Sequence, residues 1–226
     1  KCWGSNNFGQ LGIGSSNTGN IGNTGDTLPF IDFGDNIKPI SFAVGQFHTC
    51  TLFDNKKVKC FGYSFYGQLG YENGNNIGSS SSHMGNNLPF VNFGTNILVS
   101  SIHSFGGAYH NCIIIDSSQE MKCWGHNYDY QLGYSDQNDR GQIGNTMGDK
   151  LPTLNLGTES KVLQVSVGYR HTCVSTKKAK YISAGYGHTC VLLDGDILAK
   201  CAGSNFNGQL GQGDTTARGN SPSNTM

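Results

Sequence analysis

Three short phrases return in one order along this chain, and their spacing constrains the fold more than any other feature. His-Thr-Cys stands at 48–50, 171–173 and 188–190, with His-Asn-Cys at 110–112. Lys-Cys-aromatic-Gly occurs at 1–4, 59–62 and 122–125, and Ala202 replaces the aromatic at 200–203. Gly-Gln-Leu-Gly follows at 9–12, 67–70 and 208–211, with Tyr130 replacing the first glycine at 130–133. A weaker Leu-Pro phrase comes at 28–29, 88–89 and 151–152. Cys50 to Cys112 is 62 residues and Cys112 to Cys173 is 61; Leu28 to Leu88 is 60 and Leu88 to Leu151 is 63. One order kept at one period is the signature of a repeat architecture.

Each unit reads as four short strands. PISFAV precedes the His, HTCTLF carries the first Cys, KVKC runs into the second, and PFVNF follows Leu-Pro. These β-branched and aromatic runs are bounded by turn residues, and 33 glycines punctuate the chain. No amphipathic helix period of useful length is present. Four-strand units of this size predict an all-β chain built as a β-propeller, whose radial repetition leaves few sheet edges free.

GQFHTCTLFDNKKVKCFGYSFYGQLG at 45–70 resembles the regulator of chromosome condensation repeat, in its cysteine-containing variety. The likeness extends over nearly the whole chain and implies a propeller, usually of seven blades. Seven units of this length would need over 400 residues, so the 226 residues resemble four to five full or partial repeats of such a ring. The expected units of this single domain are 1–36, 37–98, 99–160, a truncated 161–178, and 179–226. The chain opens in mid-repeat, so residues are expected to precede it, and the lack of a visible leader carries no information.

Cys50 and Cys60 flank a hairpin turning near Asp54-Asn55-Lys56. Cys112 and Cys123 flank one at Ser117-Ser118, and Cys190 and Cys201 one near Asp194-Gly195. Pairing about each turn sets the two cysteines opposite one another, within disulfide reach. Three structural disulfides and an oxidising compartment are therefore expected. Zinc is disfavoured because the spacings lack a CxxC knuckle. Cys2 and Cys173 stay unpaired, each where its own repeat is cut.

Chemistry is sparse. His48, His110, His171 and His188 recur at one blade position, too far apart to share an ion. They read as buried structural histidines bonded to a neighbouring blade's backbone. Trp3 and Trp124 read as core. No nucleophile elbow, phosphate loop or recurring carboxylate pair is present, so no catalytic residue, metal or cofactor is expected and the chain reads as a non-enzyme. Asp136 to Gly141 partly resembles a calcium loop, but Arg140 stands where a ligand belongs. Equal numbers of basic and acidic residues, 15 each, give zero formal charge, which argues against nucleic acid and anionic membrane surfaces. No apolar run approaches a membrane span.

The remaining expectation is a non-catalytic propeller module in the secretory pathway, extracellular or at the cell surface. It would bind protein or serve as a structural scaffold, and self-assembly into an oligomer or filament is one version. The long loops after Gly-Gln-Leu-Gly, with Tyr71, His83, Tyr134 and Arg140, are the expected partner contacts. The resemblance also implies two alternatives: an exchange factor for a small GTPase, or a secreted protein inhibitor of this fold.

One interval breaks the period. Cys173 and Cys190 are only 17 residues apart. VSTKK matches an outgoing hairpin strand and AKYISAGYGHTC an incoming one, so some 42–46 residues of a repeat are missing between them, judged from the other units. A chain discontinuity between Lys178 and Ala179 is expected; the alternative is a genuine deletion that has fused two half-blades.

Overall fold

The computed structural model describes residues 1–15, 25–157, 161–176, 179–193 and 199–218. Blade I comprises β1 (Pro39–Val44), β2 (His48–Phe53) and β3 (Val58–Gly62); blade II comprises β4 (Val99–His103), β5 (His110–Ile115) and β6 (Met121–Gly125). Blade III is the pair β7 (Gln164–Val167) and β8 (Thr172–Ser175). Blade IV comprises β9 (Ala179–Ala184), β10 (His188–Leu193) and β11 (Ala199–Gly203). All are antiparallel meanders, and among the described residues the helices are short 3-10 turns. The chain is an arc of all-β propeller blades. The expected discontinuity adjoins residues 177–178, which lie outside the described residues.

Local sequence dictates these meanders. Lys56 and Gln119 adopt positive φ, 59° and 58°, at the turns that reverse β2 into β3 and β5 into β6. Every residue of β2 and of β5 is buried. A strand flanked on both edges and covered on both faces reads as a continuous apolar run rather than an alternation. First strands of successive blades lie side by side, β1 by β4, β4 by β7 and β7 by β9, and so wall the axis.

The fourth element is where the structure differs from the sequence reading. Residues 89–93 run extended beside β3 without forming a regular ladder; the Val91 N–H bonds the Val58 carbonyl at 2.8 Å. Leu154 does the same to Met121 at 2.9 Å. Pro89 and Pro152 have no N–H to give, and side chains take the carbonyls. Tyr71 Oη donates to Pro89 O at 2.9 Å, and Lys122 Nζ to Phe93 O at 2.7 Å.

Blades are joined by a ladder of polar side chains. His48 Nε2 donates to Asn111 Oδ1 at 2.8 Å, and Asn111 Nδ2 donates to Gln68 O at 2.9 Å. In the next junction His110 Nε2 donates to Thr172 Oγ1 at 2.9 Å, and that hydroxyl donates to Gln131 O at 2.8 Å. His171 Nε2 reaches Thr189 Oγ1 at 2.9 Å. The histidines thus bond a neighbouring blade's side chain, which relays to backbone. A direct backbone bond was expected; Asn111 or Thr intervenes because it stands directly opposite the ring. Gly45 makes room: a Cβ there would fall 1.9 Å from the His48 ring.

Burial lowers His48 to about 4 and His110 to about 3. The unfolded chain, with histidines near 6.5, therefore takes up protons first. The stability is intact above about pH 6.5 and falls as pH drops toward the folded values. Each ring should remove about 1.4 kcal/mol per pH unit across that window. Urea midpoints at pH 7.5, 5.5 and 4.5 measure the slope, and His110→Gln should flatten it; an unchanged slope would contradict this account.

Candidate protein-interaction face

Each Lys-Cys-aromatic-Gly strand ends on a glycine of positive φ, 112° at Gly62 and 103° at Gly125, that throws the chain across the end of its blade. The next N–H is caught by the carbonyl preceding the repeat histidine: Tyr63 to Phe47 O at 2.8 Å, His126 to Tyr109 O at 3.0 Å. Gln68 Oε1 then accepts from Tyr66 N at 2.9 Å, and Gln131 Oε1 from Asp129 N at 2.8 Å, closing the turn. Two short connections from each blade are thereby pinned at the same end.

Their side chains form a continuous aromatic surface across the blades. Phe8 lies 5.2 Å from Phe47 and 4.7 Å from Tyr63, centroid to centroid. Tyr66 lies 5.1 Å from Phe65, 5.4 Å from Tyr109 and 4.3 Å from His126. Tyr128 stacks at 6.5 Å on His126 and is 67% exposed, and Phe65 is 56% exposed. Beyond it Tyr169 stacks on Tyr186 at 4.1 Å, and Arg170 faces Asp129 at 3.5 Å. Partial burial holds His126 below its ordinary value and raises Tyr63 and Tyr109, so the central rings are uncharged at neutral pH. Half-exposed Tyr and Phe rings with fixed backbones suit the desolvated centre of a protein interface.

The loop residues expected to meet a partner are placed differently. Tyr71 Oη bridges Cys60 N at 2.9 Å and Cys60 O at 3.0 Å, and Tyr134 Oη does the same to Cys123 at 2.8 and 3.0 Å. Burial pushes both phenols far above their usual range. Arg140 is a strut of its own loop, bonding Asp136 Oδ2 and Asn138 O, each at 2.7 Å. These groups are spent inside the fold because each long loop packs back on its blade. His83 ends the 3-10 turn Ser81–His83 and is half-buried.

Cys50–Cys60, Cys112–Cys123 and Cys190–Cys201 are disulfide-bonded directly opposite one another, with Cα atoms 4.1 Å apart. Cys2 and Cys173 are free. His188 opens β10, half-buried. Trp124 is fully buried, but Trp3 is 63% exposed and departs from the expected core role. Trp124 packs at Gly70 of the preceding Gly-Gln-Leu-Gly phrase. Among the described residues no cluster of three or more His, Cys, Asp or Glu side chains is placed to hold a metal. The aromatic face itself went unread in the sequence. Its signal was an aromatic just before the repeat histidine (Phe47, Tyr109) and others just after the second cysteine phrase (Phe8, Tyr63, Tyr66, Tyr128).

Known proteins resemble the chain in fold and in sequence pattern. No curated protein matches it. The yeast regulator Prp20, solved bound to Kap60, superposes with a TM-score of 0.67 at 19% identity, over 96% of this chain and 55% of its own. A second Prp20p structure from Saccharomyces cerevisiae, described with its binding properties to Gsp1p and histones, gives 0.65 at 19%, over 93% and 54%. Human WBSCR16 gives 0.63 at 17%, over 90% and 56%. The chain thus spans about half the length of these structures. A family model described as "Regulator of chromosome condensation (RCC1) repeat" matches residues 2–52 and 123–175, and a second of the same description matches 40–68. With the phrases, the meanders and the solved propellers in agreement, the chain belongs to the RCC1 repeat family.

Proposed function

We propose that this propeller is a non-catalytic protein-binding module that works in an oxidising, extracellular setting and holds its partner on the aromatic face. The observation that carries the reading is the unbroken run of rings from Phe8 through Tyr63, Tyr66 and Tyr109 to Tyr128. Zero net charge and uncharged central rings favour a partner recognised by shape and apolar contact rather than by charge. Three disulfides support the compartment. Self-association of the module into an oligomer or filament is one version of this reading.

A photo-crosslinking residue at position 66 should capture polypeptide from the medium surrounding the source cells, and one at Phe30, away from the face, should not. Tyr66→Ala and Tyr109→Ala should each weaken the captured complex roughly 30-fold or more, the effect of losing a central aromatic anchor. Equal capture at both positions would defeat the assignment. Likeness to Prp20 supports a second reading, exchange on a small GTPase. Accelerated nucleotide release from a panel of small GTPases would favour it over the first.

A further inference from the structure

The glutamine of each Gly-Gln-Leu-Gly turn is held at both ends of its amide. The oxygen takes the N–H of the residue two positions earlier: Phe8 at 2.9 Å, Tyr66 at 2.9 Å, Asp129 at 2.8 Å and Asn207 at 2.9 Å. That fixes which way the amide faces, so its nitrogen, which can only donate, meets the residue five positions before the glutamine. At two turns this residue is serine, and the hydroxyls of Ser5 and Ser204 accept at 3.4 and 3.3 Å. At another it is Tyr63, and Gln68 Nε2 is buried with no hydrogen-bond partner among the described residues. At the last it is His126, whose Nδ1 lies 3.1 Å from Gln131 Nε2. Gln131 has only hydrogens to offer there, so Nδ1 of His126 is the lone-pair nitrogen and Nε2 carries the proton. Of these four positions, the one that titrates near neutral pH is therefore the one at the centre of the aromatic face.

The surroundings decide what gives way when His126 takes a second proton. The Tyr66 ring lies 4.3 Å away, and Tyr109 and Tyr128 both lie at 6.5 Å. Tyrosine ring faces attract a cation, so the imidazolium stays in the cluster. Partial burial opposes the charge most strongly; Asp139 of the long loop and Asp129 of the turn favour it, and Arg170 of the next blade opposes it. His110, buried in the ladder, stays neutral throughout. What cannot persist is the contact with Gln131, where two N–H groups would face each other at 3.1 Å. The amide must turn over, and its oxygen then leaves the Asp129 N–H, the bond that closes the turn. The Gln131 carbonyl still receives the Thr172 hydroxyl at 2.8 Å, which confines the change to the turn 126–131.

We infer that His126 and Gln131 form a proton-operated switch that weakens the hold of the aromatic face on its protein partner in mildly acidic surroundings. The inference rests on the protein-binding reading of that face. Protonation sets a positive charge among rings that a partner must cover, and strips the Asp129 N–H of its acceptor beside Tyr128. A covered imidazole resists protonation more than an open one, so partner and proton exclude each other. Affinity should then hold above about pH 6.5 and fall below it, by up to about tenfold per pH unit.

Nitrogen-15 NMR of the 226-residue chain alone reads the switch. At pH 7.5 the His126 ring should show the Nε2–H tautomer. Between pH 7.5 and 5 the Asp129 backbone amide and the Gln131 side-chain amide should move with the midpoint of His126. His126→Ser, which places here the residue found at positions 5 and 204, should remove both movements. An Nδ1–H tautomer, or an Asp129 amide indifferent to the titration, would overturn the switch. A photo-crosslinking residue at Phe65, exposed to the medium surrounding the source cells, reads the regulation. Captured polypeptide should fall at least roughly threefold from pH 7.5 to pH 5. In His126→Ser that ratio should be near one, and since this variant keeps the histidine ladder it controls for the ladder's own pH dependence. An equal fall in both proteins would overturn the regulation. No capture at either pH would end the protein-binding reading and the regulation with it, while the resonances alone would still decide the coupling of His126 to Gln131.

Discussion

Trp124→Ala should lower the stability of this protein by about 3–5 kcal/mol, the range for removing a fully enclosed aromatic. The indole is fully buried, lies 4.9 Å from the Phe93 ring, and satisfies its only polar atom on Gln68 O. Alanine would leave an enclosed space lined by Val91, Phe93 and Met147, and would remove one of the two donors to that carbonyl, leaving Asn111 Nδ2. The loss is concentrated at junction I/II, so amides of β3 and β6 should lose protection together. Trp3→Ala, at the same phrase position but 63% exposed, should change stability by no more than about 0.5 kcal/mol. Paired urea titrations measure both, and similar losses for the two tryptophans would contradict the packing described.

Replacing Cys112 and Cys123 together by serine should cost about 3 kcal/mol. Closing a loop of 11 residues withdraws that much chain entropy from the unfolded state in the standard loop model. Both cysteines are fully buried and Trp124 is the next residue, so serine hydroxyls would also enter an apolar interior. Losses from this pair and from Trp124→Ala should therefore not add. The same replacement of Cys190 and Cys201, which are only half-buried, should show the entropic part with less of the packing part. Denaturation with and without reductant separates the two, since the serine variants should no longer respond at that blade.

The fold was largely legible because the phrases that recur are those that backbone geometry demands. Cysteines face each other across a hairpin, a glycine must turn at positive φ after each second cysteine, and a glutamine closes the following turn. Those constraints are local and repeat with the unit. The fourth element was less legible, since Leu-Pro followed by aromatics looks like a strand until the carbonyls are seen to serve Tyr71 and Lys122. The candidate face was hardest to read. Phe47 and Tyr109 share one offset, just before the repeat histidine, while Tyr66 stands at another, and the three become neighbours only when two blades stand side by side. A tyrosine in a long polar loop, such as Tyr71 or Tyr134, reads as exposed, whereas its hydroxyl is spent clamping a disulfide strand. Charge and composition could not separate those two fates.

The histidine ladder has a consequence for how such an arc can grow or shrink. His48, His110 and His171 each bond the adjoining blade, and Asn111 and Thr172 answer the loop just before their own blades, so among the described residues none of these links skips a neighbour. The energetics are those of a one-dimensional lattice, an intrinsic quantity per blade plus a coupling per junction. Duplicating a whole unit inserts one blade and one junction without disturbing the others. Changes of blade number are then increments of near-constant size.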